Sequence, residues 1–155
     1  MSNDIRRSGS CLCGGVQFVV IGEPRRTGLC HCKDCRKTSG SAFSAFAVWP
    51  LAAFETNGIV NSYGGRSFCP TCGSRVSSVG DDEVEVMVGS LDLAPTEGLK
   101  PAYELWVGRR EHWLQALPEA QQFENDRVEG DQTDARDSTA DSETSSGSEP
   151  WRKSA

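Results

Sequence analysis

The 155-residue sequence predicts a mainly β domain. Three observations carry this. Apolar residues come in strand-length runs, several with period-two alternation. Clusters of Gly, Pro, Asn and Asp separate the runs, and no long segment of 3.6-residue periodicity is present.

The elements follow in order. Val16-Gln-Phe-Val-Val-Ile21 is an apolar run of strand length, and Phe43 to Trp49 is the next. Between them, Lys33 to Ser39 is ended by Gly40 and reads as one short helix. Ser39-Gly40-Ser41 is too short for a phosphate loop and reads as a turn. Arg75 to Val79, Glu83 to Val88 and Tyr103 to Val107 complete the strands, with Val84, Val86 and Val88 on one buried face. From Glu129 to Pro150 there is no Val, Ile, Leu, Met, Phe, Trp or Tyr. Such a segment buries too little apolar area to offset its ordering entropy. The expected organisation is a folded domain over 1–125 and an acidic, disordered tail over 126–155, in which Trp151 is incidental.

Charge narrows the function classes. The formal net charge is -6, but residues 124–155 hold nine Asp or Glu against four Lys or Arg, so the preceding part is nearly neutral. No broad basic face for nucleic acid is expected, and Arg25-Arg26 and Arg109-Arg110 read as solvated pairs. The longest apolar stretch, Ala45 to Phe54, is interrupted by Pro50 and is far short of the roughly 20 residues that span a bilayer. Met1 to Ser10 has no apolar core of a secretion signal, so a cytoplasmic, reducing location is expected.

In that setting, clustered cysteines point to metal rather than disulfides. Seven occur in three groups, Cys11-Leu-Cys13, Cys30-His-Cys-Lys-Asp-Cys35 and Cys69-Pro-Thr-Cys72-Gly73. Four thiolates close a tetrahedral zinc site, whereas three leave a position open, and seven divides as four plus three. Spacing alone permits two assignments. One joins Cys32 and Cys35 with Cys69 and Cys72. The other joins Cys11 and Cys13, presented from one side of a strand, with Cys69 and Cys72, and leaves Cys30, Cys32 and Cys35 as a local trio. Because neighbours on a strand point oppositely, His31 is expected to face away from the sulfurs, as a proton shuttle or an outward-facing residue. Arg36 and Lys37 could attract substrate carboxylates or merely complement the helix end. Trp49, Trp106 and Trp113 read as core or rim residues, with a pocket lining as the functional alternative.

Cys11-Leu-Cys-Gly-Gly15, Cys30-His-Cys-Lys-Asp-Cys-Arg36 with Gly40, Phe68-Cys-Pro-Thr-Cys-Gly-Ser74 and Gly89-Ser-Leu-Asp92, in this order, resemble the glutathione-dependent formaldehyde-activating family, which also contains centromere protein V. The resemblance covers roughly residues 9–123 and implies family core positions at Pro101, Trp106, Trp113 and Phe123. It selects the second ligand assignment: Cys11, Cys13, Cys69 and Cys72 around a structural zinc, and Cys30, Cys32 and Cys35 around a second, catalytic zinc. It further implies a β-tent of packed antiparallel sheets clasped by the structural zinc. The implied reaction is carbon-sulfur lyase chemistry that makes or breaks a thiol-aldehyde adduct such as S-hydroxymethylglutathione. Two other readings are a non-catalytic zinc module for protein interaction and a redox Cys32-Lys-Asp-Cys35 dithiol. The latter lacks its usual long helix in a βαβ context.

Overall fold

The computed structural model describes residues 5–128, so the expected tail lies, from Glu129 onward, outside the described residues. Among the described residues there are eleven strands and one α-helix. A three-stranded antiparallel sheet contains β1 (Arg6–Ser10), β2 (Gln17–Ile21) and β5 (Phe54–Asn57), in the order β1-β2-β5. The second sheet has eight strands: β3 (Arg26–Cys30), β4 (Ser44–Pro50), β6 (Asn61–Tyr63), β7 (Arg66–Phe68), β8 (Arg75–Val79), β9 (Glu83–Met87), β10 (Tyr103–Leu105) and β11 (Gln121–Gln122). Their order is β11-β10-β3-β4-β9-β8-β7-β6. The helix α1 (Lys33–Ser39) links β3 to β4 and ends at Gly40, whose φ of 63° is the left-handed conformation that glycine adopts without strain.

Strand β4 shows how the larger sheet is built. Ala47 and Trp49 point to one face and pack with Val16, with Phe18 and Val20 of the smaller sheet, and with Val76, Val84 and Val86. Phe46 and Val48 point to the other and pack with Met87, Tyr103, Leu105, Phe123 and the three cysteines Cys30, Cys32 and Cys35. Two cores therefore lie on opposite faces of one sheet. A strand covered on both faces reads as a continuous apolar run, as Phe46 to Trp49 does. Trp49 is fully buried, and its indole Nε1 donates to the Gly22 carbonyl at 3.1 Å.

The mainly β expectation holds, with one difference in strand direction. Tyr103 to Leu105 runs parallel to β3, paired with Gly28 to Cys30, and β11 joins it in parallel as well. Val88 also departs from its expected strand face, since the chain turns into a 3-10 turn over Val88–Ser90. Strand β3, Arg-Thr-Gly-Leu-Cys, carries almost no apolar signal yet lies in the middle of the larger sheet. Gly28 explains part of this: a Cβ there would lie 2.7 Å from the Tyr103 ring. The missing side chain lets the rings of Tyr103 and Phe46 cover the strand.

The basic pairs are not simply solvated. Arg26 is 6% exposed and grips the Glu83 carboxylate with both terminal nitrogens. Arg25 reaches Asp82 and Glu83, each at 3.4 Å. A planar guanidinium matches a carboxylate bidentately, which makes a buried charge tolerable. Arg110 is likewise paired, with Glu104 at 3.1 Å. Of the four, Arg109 is exposed.

Candidate metal centres

Two hairpin turns build the first cysteine cluster. Cys11 and Cys13 lie in the turn joining β1 to β2, not on a strand edge. Cys11 N–H donates to the Val16 carbonyl at 3.0 Å, and Gly14 N–H donates back to the Cys11 carbonyl at 3.1 Å. The turn between β7 and β8 repeats the scheme, with Cys69 N–H on the Ser74 carbonyl at 3.0 Å and Gly73 N–H on the Cys69 carbonyl at 2.9 Å. Gly73 has φ of 77°, as the glycine after the second cysteine requires. Leu12 N–H donates to Ser74 Oγ at 3.0 Å and joins the two turns.

The four sulfurs of Cys11, Cys13, Cys69 and Cys72 all lie within 4.8 Å of one another. Cys11 and Cys13 sulfurs are 3.5 Å apart, and Cys13 and Cys69 sulfurs 3.7 Å. A tetrahedron of thiolates at the zinc-sulfur distance of about 2.3 Å has edges of about 3.8 Å, so the spacing fits an ion at the centre. The seven cysteines are free thiols. Backbone amides already point at the sulfurs, Val16 N–H to Cys11 at 3.2 Å and Thr71 N–H to Cys69 at 3.4 Å. The Ser74 hydroxyl and amide hold the Cys72 thiol down at about 5. The Gly15 amide also favours negative sulfur at Cys13, but the crowding sulfurs of Cys11, Cys69 and Cys72 outweigh it and push that thiol up to about 11, a conflict a cation at the centre would relieve.

The second cluster forms where β3 runs into α1. Cys30 ends the strand, Cys32 is the N-cap of the helix, and Cys35 lies in its first turn. Cys32 Sγ accepts from Cys35 N–H at 3.3 Å, taking the capping role usually filled by an oxygen. The three sulfurs lie within 4.8 Å of one another, and each residue is at most 8% exposed. Sulfurs so close cannot all ionise without a cation. Hydrogen bonds from the Cys30 thiol and then the Cys35 thiol hold Cys32 down at about 2, while those contacts drive the Cys30 thiol strongly upward. A divalent cation would relieve that conflict. Both clusters can therefore hold metal ions and are compatible with zinc.

Three residues of α1 anchor it to the rest of the domain and thereby position Cys32 and Cys35. Asp34 meets Arg66 at 3.6 Å, and Thr38 Oγ1 accepts from Arg75 at 2.9 Å. Arg36 donates to the Arg109 carbonyl at 2.9 Å and also pairs with Glu111. Arg75 is itself held by the buried Glu85 at 3.3 Å.

His31 stays out of the sulfur group but is not outward-facing. It is 1% exposed, with Nε2 2.9 Å from Glu104 Oε1. Nε2 facing a carboxylate carries the proton. The other oxygen of Glu104 accepts from Arg110 at 3.1 Å, Leu117 N–H at 2.9 Å and Gln122 at 2.8 Å. Burial alone would raise the Glu104 carboxyl, but the His31 hydrogen bond and these three donors outweigh it and hold the pKa below its ordinary 4.5. The sequence reading missed Glu104. The signal was present, because an acid between Tyr103 and Leu105 breaks an apolar strand.

This carboxylate gives a direct prediction. Glu104→Ala leaves His31 and Arg110 facing an empty buried position, and breaking a buried pair on one side costs about 3–5 kcal/mol. Urea unfolding with excess zinc should show a loss of that order, and Glu104→Gln, which keeps the shape and an acceptor, a smaller one. Equal unfolding midpoints for wild type and Glu104→Ala would show that the network adds nothing to stability.

The tryptophans divide. Trp49 is core, and Trp106, held at φ of 57°, packs beside the second core with its Nε1 on Asp126 at 3.1 Å. Trp113 is 71% exposed, which corrects its expected core position. Its segment is anchored by polar contacts instead, Leu114 N–H to the Glu111 carbonyl and Leu117 N–H to Glu104. Phe123 is buried as expected, with its ring against Tyr103.

Two cavities flank α1. One of about 810 Å³ is lined by Cys11, Thr38, Phe43, Ser74, Met87 and Gly89 to Asp92, among others. The glycine-containing segment Gly89-Ser-Leu-Asp92 therefore borders the space between the closed cluster and α1. The other cavity, of about 570 Å³, is lined by Lys33, Arg36, Lys37, Ser41 and Arg109.

A family model described as glutathione-dependent formaldehyde-activating enzyme matches residues 6–109, which include both cysteine clusters. The chain belongs to this family. The match stops at Arg109, short of the extent to residue 123 expected from the sequence, so Gln122 and Leu117, which hold Glu104 in this formaldehyde-activating family member, lie beyond it. A solved structure of a Rhodobacter sphaeroides protein, a structural genomics target, is similar at 23% identity with a TM-score of 0.41, covering 61% of this chain and 91% of that chain. No curated protein matches the sequence. Among the described residues, no helix is long and apolar enough to cross a membrane.

Proposed function

We propose that the chain is a zinc-dependent carbon-sulfur lyase that makes or breaks a thiol-aldehyde adduct such as S-hydroxymethylglutathione. Cys11, Cys13, Cys69 and Cys72 hold a structural zinc, and Cys30, Cys32 and Cys35 hold a catalytic one. The observation that carries this reading is the separate trio: three sulfurs within 4.8 Å, without a fourth cysteine in the group.

Cys30, Cys32 and Cys35 would hold this ion, which would supply an electrophilic centre that favours the thiolate form of an entering thiol. In the adduct-forming direction, sulfur adds to the aldehyde carbon, the carbonyl bond opens onto oxygen, and the proton lost by the thiol is balanced by one gained at that oxygen. This chain's own residues make that geometry specific. The cap on Cys35 N–H and the three anchors of α1 keep the sulfurs together, and the Glu104 contact fixes the His31 ring away from them. Burial of all three cysteines limits water at the site. The family's glutathione and formaldehyde support a small-molecule thiol adduct as partner, and a cytoplasmic location fits seven free thiols.

The test begins with elemental analysis of protein purified under reducing conditions. About two zinc ions per chain are expected, one of them removed by a mild chelator. Exchange spectroscopy on glutathione and formaldehyde should then show adduct exchange above the spontaneous rate with loaded protein only. Exchange at the background rate with two zinc ions bound would sink the lyase reading. One tightly held ion that cannot be supplemented would return the chain to a non-catalytic interaction module.

A further inference from the structure

The cavity of about 570 Å³ beside α1 gathers unmatched positive charge. Lys33, Arg36, Lys37 and Arg109 line it, Ser41 adds a hydroxyl, and among the described residues no carboxylate does. Lys33, Arg36 and Lys37 lie at i, i+3 and i+4 on α1 and so share a face. Arg36 is paired with Glu111, but Lys33, Lys37 and Arg109 are exposed and form no ion pair among the described residues. The exposed cations Arg6 and Lys100, in contrast, are matched by Glu55 at 3.8 Å and Glu119 at 2.8 Å. Like charges gathered around a concave space raise the local potential and draw anions in.

The same chain carries a matching anion. Residues 129–143 hold six Asp or Glu against one Arg, with the acids two to four residues apart. The root of that segment is pinned beside the cavity. Trp106 N–H donates to the Asn125 carbonyl at 3.2 Å, Val107 N–H to the Phe123 carbonyl at 3.1 Å, and Trp106 Nε1 to Asp126 Oδ1 at 3.1 Å. From Trp106 the chain enters the 3-10 turn Val107–Arg109, closed by Arg109 N–H on the Trp106 carbonyl at 3.0 Å. Arg109 is thus only about 6 Å along the turn from the residue that anchors Asp126. Val128 is 65% exposed at the end of the described residues, and the five residues from Asp126 to Asp131 span up to about 18 Å. We propose that residues 129–143 dock into this cavity of their own chain, with their carboxylates on Lys33, Lys37 and Arg109, and so close it to other anions. Covalent attachment supplies these carboxylates at an effective concentration on the order of millimolar, which lets ion pairs that are individually weak hold together. Arg36, which binds both Glu111 and the Arg109 carbonyl, fixes the two walls of the cavity to one another.

The test uses the zinc-loaded full chain, its tail-neutral variant Asp131→Asn/Asp134→Asn/Asp137→Asn/Asp141→Asn, and a synthetic peptide of the natural sequence 129–143 as the probe. In calorimetry the peptide should bind the tail-neutral variant on the order of tenfold more tightly than wild type, whose own tail fills the cavity. Added salt should weaken that binding. Lys37→Gln/Arg109→Gln, introduced into the tail-neutral variant, should abolish it. Both of these side chains are exposed, so unchanged thermal unfolding is expected as the control. Zero-length carbodiimide coupling of wild type should join Lys33 or Lys37 to a tail carboxylate within one chain. Equal affinity of wild type and tail-neutral variant, no binding to the tail-neutral variant, or binding indifferent to Lys37 and Arg109 overturns the proposal. Cross-links that join isotope-labelled to unlabelled chains would assign the tail to a second copy and overturn closure within one chain. Adduct exchange enters none of these readouts, so docking and the lyase reading stand or fall separately.

Discussion

Cys69→Ser is expected to leave the domain unfolded at 25 °C, with the loss of both zinc ions. The reason lies in what the first cluster joins. Its two turns come from different sheets, one between β1 and β2 and the other between β7 and β8. Cys11 and Cys69 are each 2% exposed and form part of the core that Val16, Phe18, Trp49 and Val84 fill. A serine there puts a hydroxyl into an apolar position and leaves three sulfurs to hold the ion. Structural zinc sites contribute about 10–16 kcal/mol in small zinc peptides. Whole domains are stable by only about 5–15 kcal/mol. Losing a large part of the first quantity therefore exhausts the second. Far-UV circular dichroism, limited proteolysis and zinc content measure the outcome together. A Cys69→Ser protein with a native-like cooperative transition and one zinc fewer would show that the sheets hold together without the cluster.

The three cysteine groups were legible because metal ligation needs few residues at short spacing, but spacing left two ways to combine them, and only the family resemblance chose the joining of Cys11 and Cys13 with Cys69 and Cys72. Cys69-Pro-Thr-Cys72-Gly73 required a turn with left-handed glycine, and Gly73 has that conformation. The helix was legible for a similar reason, since Gly40 marks its end. Strands buried on one or both faces, Phe46 to Trp49 and Val84 to Val86, declared themselves through apolar content. What stayed hidden was whatever depends on partners distant in the chain. Strand β3 has a buried arginine satisfied by Glu83, 57 residues later, and a glycine that only the Tyr103 ring explains. Its parallel pairing with β10 spans more than 70 residues. His31 looked like a surface residue between two ligands because nothing nearby in sequence announces Glu104. Local rules gave the turns; long-range electrostatics decided which charged residues were inside.

The sharpest separation of metal from fold comes at Cys32. As the N-cap of α1, its sulfur accepts from Cys35 N–H at 3.3 Å, and serine is among the preferred residues for that position. Cys32→Ser therefore keeps the helix start, the contacts of Asp34, Arg36 and Thr38 with the rest of the domain, and the distant first cluster. It removes one sulfur of the trio. The expected protein has an unchanged circular dichroism spectrum, one zinc per chain instead of two, and adduct exchange reduced on the order of a thousandfold, the rate equivalent of several kcal/mol of lost electrostatic stabilisation. Cys30→Ser is a less clean probe, because Cys30 is buried at the end of a central strand and its loss also disturbs packing. The readouts discriminate between roles. Loss of both zinc and exchange assigns Cys32 to a catalytic metal site, whereas loss of zinc with full exchange makes the second ion dispensable. Full zinc and full exchange in Cys32→Ser would remove the trio from the mechanism altogether.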